Sequence, residues 1–238
     1  MVKYIIAGLN IALKISGKTL QRQVNPYRMK GDAPADIIID LPDSYILQKQ
    51  KENPHLTLSD CAYIWTGLDF YRKLINFDGF ILHSSAVALE GKAYLFSAPC
   101  GTGKSTHAAL WQQFFGADKA VIINDDKPAI RLIDGIFNVF GTPWSGKTDL
   151  NQNIRVPLQG ICFLEQATGN RIQRIDNKEA IKLLLNQTLR PKDRERMTML
   201  LDILDRLLLQ IPVYKMGCNI SREAVELSCH TMRLGGTT

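Results

Sequence analysis

The run Ala98-Pro99-Cys100-Gly101-Thr102-Gly103-Lys104-Ser105, continued by Thr106, has the residue types and spacing that let a loop turn its backbone N–H groups onto phosphates. Gly101 and Gly103 permit backbone conformations that a Cβ would obstruct, leaving amides free to face an anion. Lys104 is placed to reach the outer phosphates, and the Ser105 hydroxyl to ligate Mg²⁺. The usual pattern opens with glycine where this chain has Ala98, a replacement that requires negative φ there. Two further groups accompany the loop: the pair Asp125-Asp126, which closes an apolar run, and His83 upstream. A carboxylate at the end of a buried strand can hold Mg²⁺, and a second can take a proton from an attacking hydroxyl. Neighbouring residues of a strand face opposite ways, so the two aspartates act together only if the strand has already ended, as a turn at Lys127-Pro128 allows.

The flanking sequence supplies the elements that such a loop needs. The run Ala93 to Ser97 reads as a strand entering it, and Thr106 to Trp111 as an amphipathic helix leaving it. A helix starting near Thr102 or Gly103 puts its free N–H groups and positive dipole end at the phosphates. Phe80 to Leu89 reads as a strand that forms a hairpin with Ala93 to Ser97 across Glu90-Gly91-Lys92. A second hairpin turns at Asp134-Gly135, between Ala129 to Ile133 and Ile136 to Phe140.

Before this core, residues 1 to about 50 read as short strands joined by loops, and Ser59-Asp60 as the cap of a helix running to Leu74 with Ile64, Leu68 and Leu74 on its buried face. After it come strands at Ile161 to Leu164 and Arg171 to Ile175, helices at Lys178 to Leu189 and Arg194 to Leu209, a short strand at Val213-Tyr214, and a last helix capped by Ser221. The expected fold class is α/β with an α+β tendency: a mixed, largely antiparallel sheet carrying the phosphate loop, flanked by helices, with a small β-rich N-terminal lobe. The expected division is 1–55 for that lobe and 56–238 for the nucleotide-binding unit.

Composition narrows the class. With 238 residues, 45% of them hydrophobic, the chain can build a sizeable core. Its net charge of +6 is scattered, which favours phosphorylated ligands without making a nucleic-acid surface. Five cysteines with no CxxC pair argue against a disulfide framework or a zinc site and fit a reducing, cytoplasmic setting. No apolar run approaches the roughly 20 residues of a spanning helix, so no membrane partner is expected.

The pieces Leu82-His83-Ser84-Ser85-Ala86-Val87-Ala88, Gly101-Thr102-Gly103-Lys104-Ser105-Thr106 and Asn124-Asp125-Asp126, in that order, resemble the catalytic domain of the HPr kinase/phosphorylase family, whose sheet is related to that of phosphoenolpyruvate carboxykinases. The resemblance covers residues from about 79 to 140. It implies that Asp126 is the catalytic acid/base, that His83 assists it, that Lys104 holds phosphate, and that Ser105 and Asp125 lie near the metal. Pro99 to Thr106 would bind the nucleotide. It implies ATP and Mg²⁺ as cofactors and assembly into a homo-oligomer.

After the aspartate pair those kinases carry a glutamate-containing signature, where this chain has Phe140-Gly141-Thr142-Pro143-Trp144-Ser145-Gly146-Lys147-Thr148. The chain therefore resembles divergent members, and the expected acceptor is a serine of a small protein or peptide, or a small-molecule alcohol. Trp144 and Lys147 are candidates to touch it, with Trp144 packed inward as the other reading. The alternative to a kinase is a nucleotide-sensing module, which would need the loop but neither His83 nor Asp126.

Overall fold

The computed structural model describes residues 1–235; residues 236–238, the end of the expected 56–238 unit, lie outside the described residues. The N-terminal segment makes a three-stranded sheet from β1 (Val2–Ile6), β2 (Leu9–Leu13) and β3 (Ile37–Ile39), the last lying parallel to β2. The strands are as expected, but the segment also holds two helices, α1 (Lys18–Val24) and α2 (Asp43–Glu52). Neither helix has a side-chain N-cap, and α1 buries only one short face, so neither carries a clear start signal in the sequence.

Helix α3 (Leu58–Leu74) starts two to three residues earlier than Ser59-Asp60 implied. Thr57 is its cap, and Asp60 is the returning carboxylate of the capping box, its Oδ2 accepting the Thr57 N–H at 3.0 Å. Leu74 is buried as expected, whereas Ile64 stands 43% exposed and Leu68 is half-buried.

The main sheet has two halves. One is antiparallel: β4 (Gly79–Ile81), β8 (Ala129–Ile133), β9 (Ile136–Phe140) and the first residues of β10 (Arg155–Gln166). The other runs from β7 (Ala120–Asn124) through β5 (Ser84–Leu89) and β6 (Lys92–Ser97) to the rest of β10, then β12 (Val213–Cys218) and β11 (Arg171–Arg174). In this half β10 lies parallel to both β6 and β12. Both hairpins turn where expected, with Glu90 and Gly91, then Asp134 and Gly135, at positive φ.

Burial of both faces explains the unbroken apolar runs Ala86 to Leu89 of β5 and Ala93 to Phe96 of β6. Ala86, Ala88, Ala93 and Leu95 face a core closed by α5 (Asn177–Gln187) and α6 (Arg194–Gln210), while Val87, Leu89, Tyr94 and Phe96 face α4 (Lys104–Phe115) and α7 (Arg222–Leu234). The N-terminal sheet packs its inner face on Phe70, Tyr71 and Leu74 of α3 and on Ala129, Phe140 and Trp144.

The chain crosses between the halves of the main sheet at three places. It leaves β4 for β5 through Leu82-His83, leaves β7 for β8 through Asp125 to Pro128, and crosses within β10 itself, where Gln159 is the extra residue of a bulge between Leu158 and Gly160. The expected single strand from Phe80 to Leu89 is broken at the first crossing, which puts His83 at a seam rather than in a ladder. Among the described residues no helix is long and apolar enough to cross a membrane.

Candidate active site

Two of the seam crossings bring the chemistry together. Strand β7 ends at Asn124, so Asp125 and Asp126 sit in a bend and are freed from strand alternation. The bend is built by Asn124, whose Oδ1 accepts the backbone N–H groups of Asp126 at 3.0 Å and Lys127 at 2.7 Å. Its amide donates to the Thr142 carbonyl at 3.0 Å and Oγ1 at 3.1 Å. Thr142 and Tyr71 in turn donate to the Lys127 carbonyl at 3.0 Å and 2.7 Å. A buried amide with its hydrogen-bonding capacity spent this way fixes where Asp126 points.

His83 arrives from the other crossing. Its Nε2 is 3.2 Å from Asp126 Oδ1, and its Nδ1 is 3.1 Å from the Gln187 side chain. A neutral ring that donates Nε2–H to Asp126 takes a hydrogen from the Gln187 amide at Nδ1, and a ring charged at both nitrogens donates to Gln187 Oε1; either way Nε2–H lies on the carboxylate. Lys127 also pairs with Asp126, through Oδ2. Burial pushes the Asp126 carboxyl up, but His83 and Lys127 together outweigh it and hold the group below the ordinary carboxylate range. Asp125 takes a separate position: its Oδ1 accepts the Ser85 hydroxyl at 2.5 Å.

The loop between β6 and α4 faces this pair. Gly103 is the residue before the helix, at φ 113°, and Gly101 lies at φ 79°. A Cβ built on either glycine meets nothing within 4 Å, so both turn an open, side-chain-free surface outward. Ala98 is absent from the positive-φ residues, as its replacement of glycine requires. The helix begins at Lys104, within a residue of expectation, and no side chain caps it, which leaves its N-terminal amides available to an anion. The Lys104 ammonium is folded back on its own loop, donating to the Ala98 carbonyl at 3.0 Å and the Pro99 carbonyl at 3.3 Å, and burial lowers its pKa.

A cleft of about 400 Å³ joins these groups. His83, Asp125 and Asp126 line one wall, and Cys100, Gly101, Gly103, Lys104, Ser105 and Thr106 another. Pro99 and Thr102 face the far side of the loop, where a second cavity of about 530 Å³ also touches Cys100, Gly101, Gln187 and Lys215. The open glycine surface and uncapped helix start fit the phosphates of a nucleotide. Among the described residues no three His, Cys, Asp or Glu side chains gather to hold a metal by themselves. Mg²⁺ bound through phosphates needs only one or two protein oxygens, and the Asp125 carboxylate and Ser105 hydroxyl fit that role.

The sequence reading left four contributors out. Gln187 and Thr142 reach the site from distant elements, and Ser85 and Asn124 lay inside quoted motifs without an assigned role. Arg155, Arg171, Arg174 and Arg190, the arginines that could otherwise clamp a transferring phosphate, do not line the cleft. Trp144 packs inward, stacked on Phe70 at 5.0 Å between ring centroids and seated where Gly67 has no side chain; a Cβ there would lie 2.7 Å from the indole. Lys147, together with Ser145, Gly146 and Thr148, closes the cleft beside Asp126, and Gly146 approaches so near that a Cβ would lie 2.8 Å from the Asp126 Cβ.

No family model matches the chain, and no curated protein matches it. Among solved structures, it superposes on an HPr(Ser) kinase/phosphatase from Coxiella burnetii with a TM-score of 0.37 and 11% identity, over 66% of this chain and 99% of that one.

Proposed function

We propose that the chain is an ATP- and Mg²⁺-dependent phosphotransferase that moves the γ-phosphoryl group to a hydroxyl. The observation that carries this is the His83–Asp126 contact at 3.2 Å, opposite an open glycine loop in a single cleft. A nucleotide-sensing module needs the loop but has no use for a half-buried carboxylate held between a histidine and a lysine.

In this reading the amides of Gly101, Gly103, Lys104 and Ser105 hold the β- and γ-phosphates, and Lys104 leaves the Ala98 and Pro99 carbonyls to pair with them. Asp125 and Ser105 would hold Mg²⁺, which would supply charge neutralisation on the phosphates. Asp126 accepts the proton of the acceptor hydroxyl. His83 keeps the carboxylate oriented, and Lys127 balances its charge. The loop at Ser145 to Thr148 covers the cleft from the acceptor side.

The test is transfer of label from γ-labelled ATP to a panel of hydroxyl acceptors, comparing wild type with Asp126→Asn. Loss of roughly 10²-fold or more in turnover, with ATP-analogue affinity within a few-fold, is the expected result. Metal-dependent nucleotide binding with no transfer to any acceptor would favour the sensing module, and full turnover by Asp126→Asn would remove the assigned base.

A further inference from the structure

On the other side of Asp126 lies a larger cavity, of about 550 Å³, that shares Asp126, Gly146 and Lys147 with the phosphate cleft as a common wall. One helical stripe of α3 forms its floor: Asp60, Tyr63, Ile64, Gly67, Leu68 and Tyr71 recur at helical spacing. Ile81, Trp144 and Leu189 close it. This explains Ile64, an apolar residue on an apolar stripe that nevertheless stands 43% exposed: its stripe faces an open cavity instead of the core.

The cavity's charges are nearly all occupied within the protein. Arg22 pairs with Asp149, Lys127 with Asp126, and Asp60 belongs to the α3 capping box. Lys147, on the shared wall, has no ion pair among the described residues. Trp144 is 2% exposed, yet its indole N–H has no partner among the described residues. A site with an apolar floor and internally neutralised charges suits a neutral apolar body, and Lys147, with no ion pair among the described residues, sits on the wall that the two cavities share.

We propose that this cavity is the acceptor site and that the acceptor is an alcohol carried on a neutral aromatic or branched aliphatic group. The inference rests on the phosphotransferase reading above. The hydroxyl lies at Asp126 and the apolar body on Ile64, Leu68 and Trp144. The hydroxyl oxygen forms a bond to the γ-phosphorus of ATP while the bond from that phosphorus to the β–γ bridging oxygen breaks. ADP leaves with the electron pair, and the hydroxyl proton passes to Asp126. The same chemistry can be presented by a free small molecule or by a seryl side chain between bulky apolar neighbours.

The experiment has two readouts on the same full-length protein. Saturation-transfer NMR reports binding, and labelled ATP with Mg²⁺ reports transfer. The probes are 2-phenylethanol, N-acetyl-leucinol and the peptide acetyl-Leu-Ser-Leu-amide, set against glycerol and N-acetyl-serinamide. The variants are Ile64→Glu and Ile64→Trp, with Ile220→Glu, at an exposed position outside the cavity, as the control.

The expected result is binding and transfer for the apolar alcohols, a loss of roughly tenfold or more in kcat/KM for Ile64→Glu, and a shift towards smaller alcohols for Ile64→Trp. Preference between the two phenyl or leucyl alcohols and the peptide identifies the source. Binding without transfer would uphold the cavity and defeat the phosphotransferase reading. Transfer that favours glycerol or N-acetyl-serinamide, with Ile64→Glu no different from Ile220→Glu, would overturn the cavity and leave that reading standing. No binding of any apolar alcohol would overturn it as well.

Discussion

Gln187 holds His83 at two points: its carbonyl accepts the His83 backbone N–H at 2.7 Å, and its side chain meets His83 Nδ1 at 3.1 Å. The two residues are 104 positions apart in sequence, so the last turn of α5 orients a ring at the corner between β4 and β5. Gln187→Leu keeps the volume and removes the side-chain contact. Turnover should fall roughly tenfold with KM for ATP little changed, because the ring loses the partner that orients it. Steady-state kinetics checks this; a normal kcat would leave Gln187 a packing residue only.

Lys104 is stored on the carbonyls of Ala98 and Pro99, and a bound nucleotide should draw it off them. Isothermal titration with a non-hydrolysable ATP analogue should show Mg²⁺-dependent binding that weakens by roughly 10- to 100-fold in Lys104→Ala, the loss of charge-assisted hydrogen bonds. Equal affinity in the variant would show that the loop does not use this lysine for phosphate.

Asn124 is the keystone of the bend that carries both aspartates. Asn124→Leu strips two backbone N–H groups and the Thr142 carbonyl of their buried partner, so unfolding in urea should show a loss of about 2 to 4 kcal/mol. Turnover should fall further than this loss of stability explains, since Asp126 loses its fixed direction.

His107 gives a pH signature that is independent of catalysis. It is buried against Phe96, with Nε2 3.1 Å from Ser228 Oγ, and burial lowers its pKa from 6.5 to about 4. As pH falls below 6.5, the unfolded chain binds a proton that the native ring refuses, so stability is full above 6.5 and declines down to about 4. The whole decline is about 3 kcal/mol at most. Denaturant midpoints measured from pH 7.5 to 4.5 should show it in wild type, and His107→Gln should flatten that part of the curve.

The local parts of the site were legible in the sequence because each is written in consecutive residues: the glycine loop, the aspartate pair and the two hairpin turns. His83 was legible through its neighbours Leu82 and Ser84 to Ala88. What joins these parts was not. Gln187 and Thr142 act through contacts that only the folded sheet creates, and nothing in their flanking sequence marks them. Ile64 was misread for a physical reason: apolar residues at helical spacing signal a covered stripe, and the pattern is the same whether another helix or an open cavity lies opposite. Trp144 stood undecided because an aromatic in a polar loop can face either way, and the absent side chain of Gly67, which seats it, lies far off in α3.

Strand β10 spans both halves of the main sheet, pairing with β9 and, at Leu158, with β6 before its bulge, and with β6 and β12 after it. The loop that ends β6 carries the glycines, and the segment between β9 and β10 carries Ser145 to Thr148, so this strand sets the gap between the nucleotide wall and the acceptor wall. Each wall can therefore change its residues freely while the spacing is inherited from elsewhere. A lineage could exchange one acceptor for another by rewriting the loop or the α3 stripe. Deleting Gln159 would instead remove the bulge, and with it the local bend that sets one half-sheet against the other, a change that substitutions in the loops could not repair.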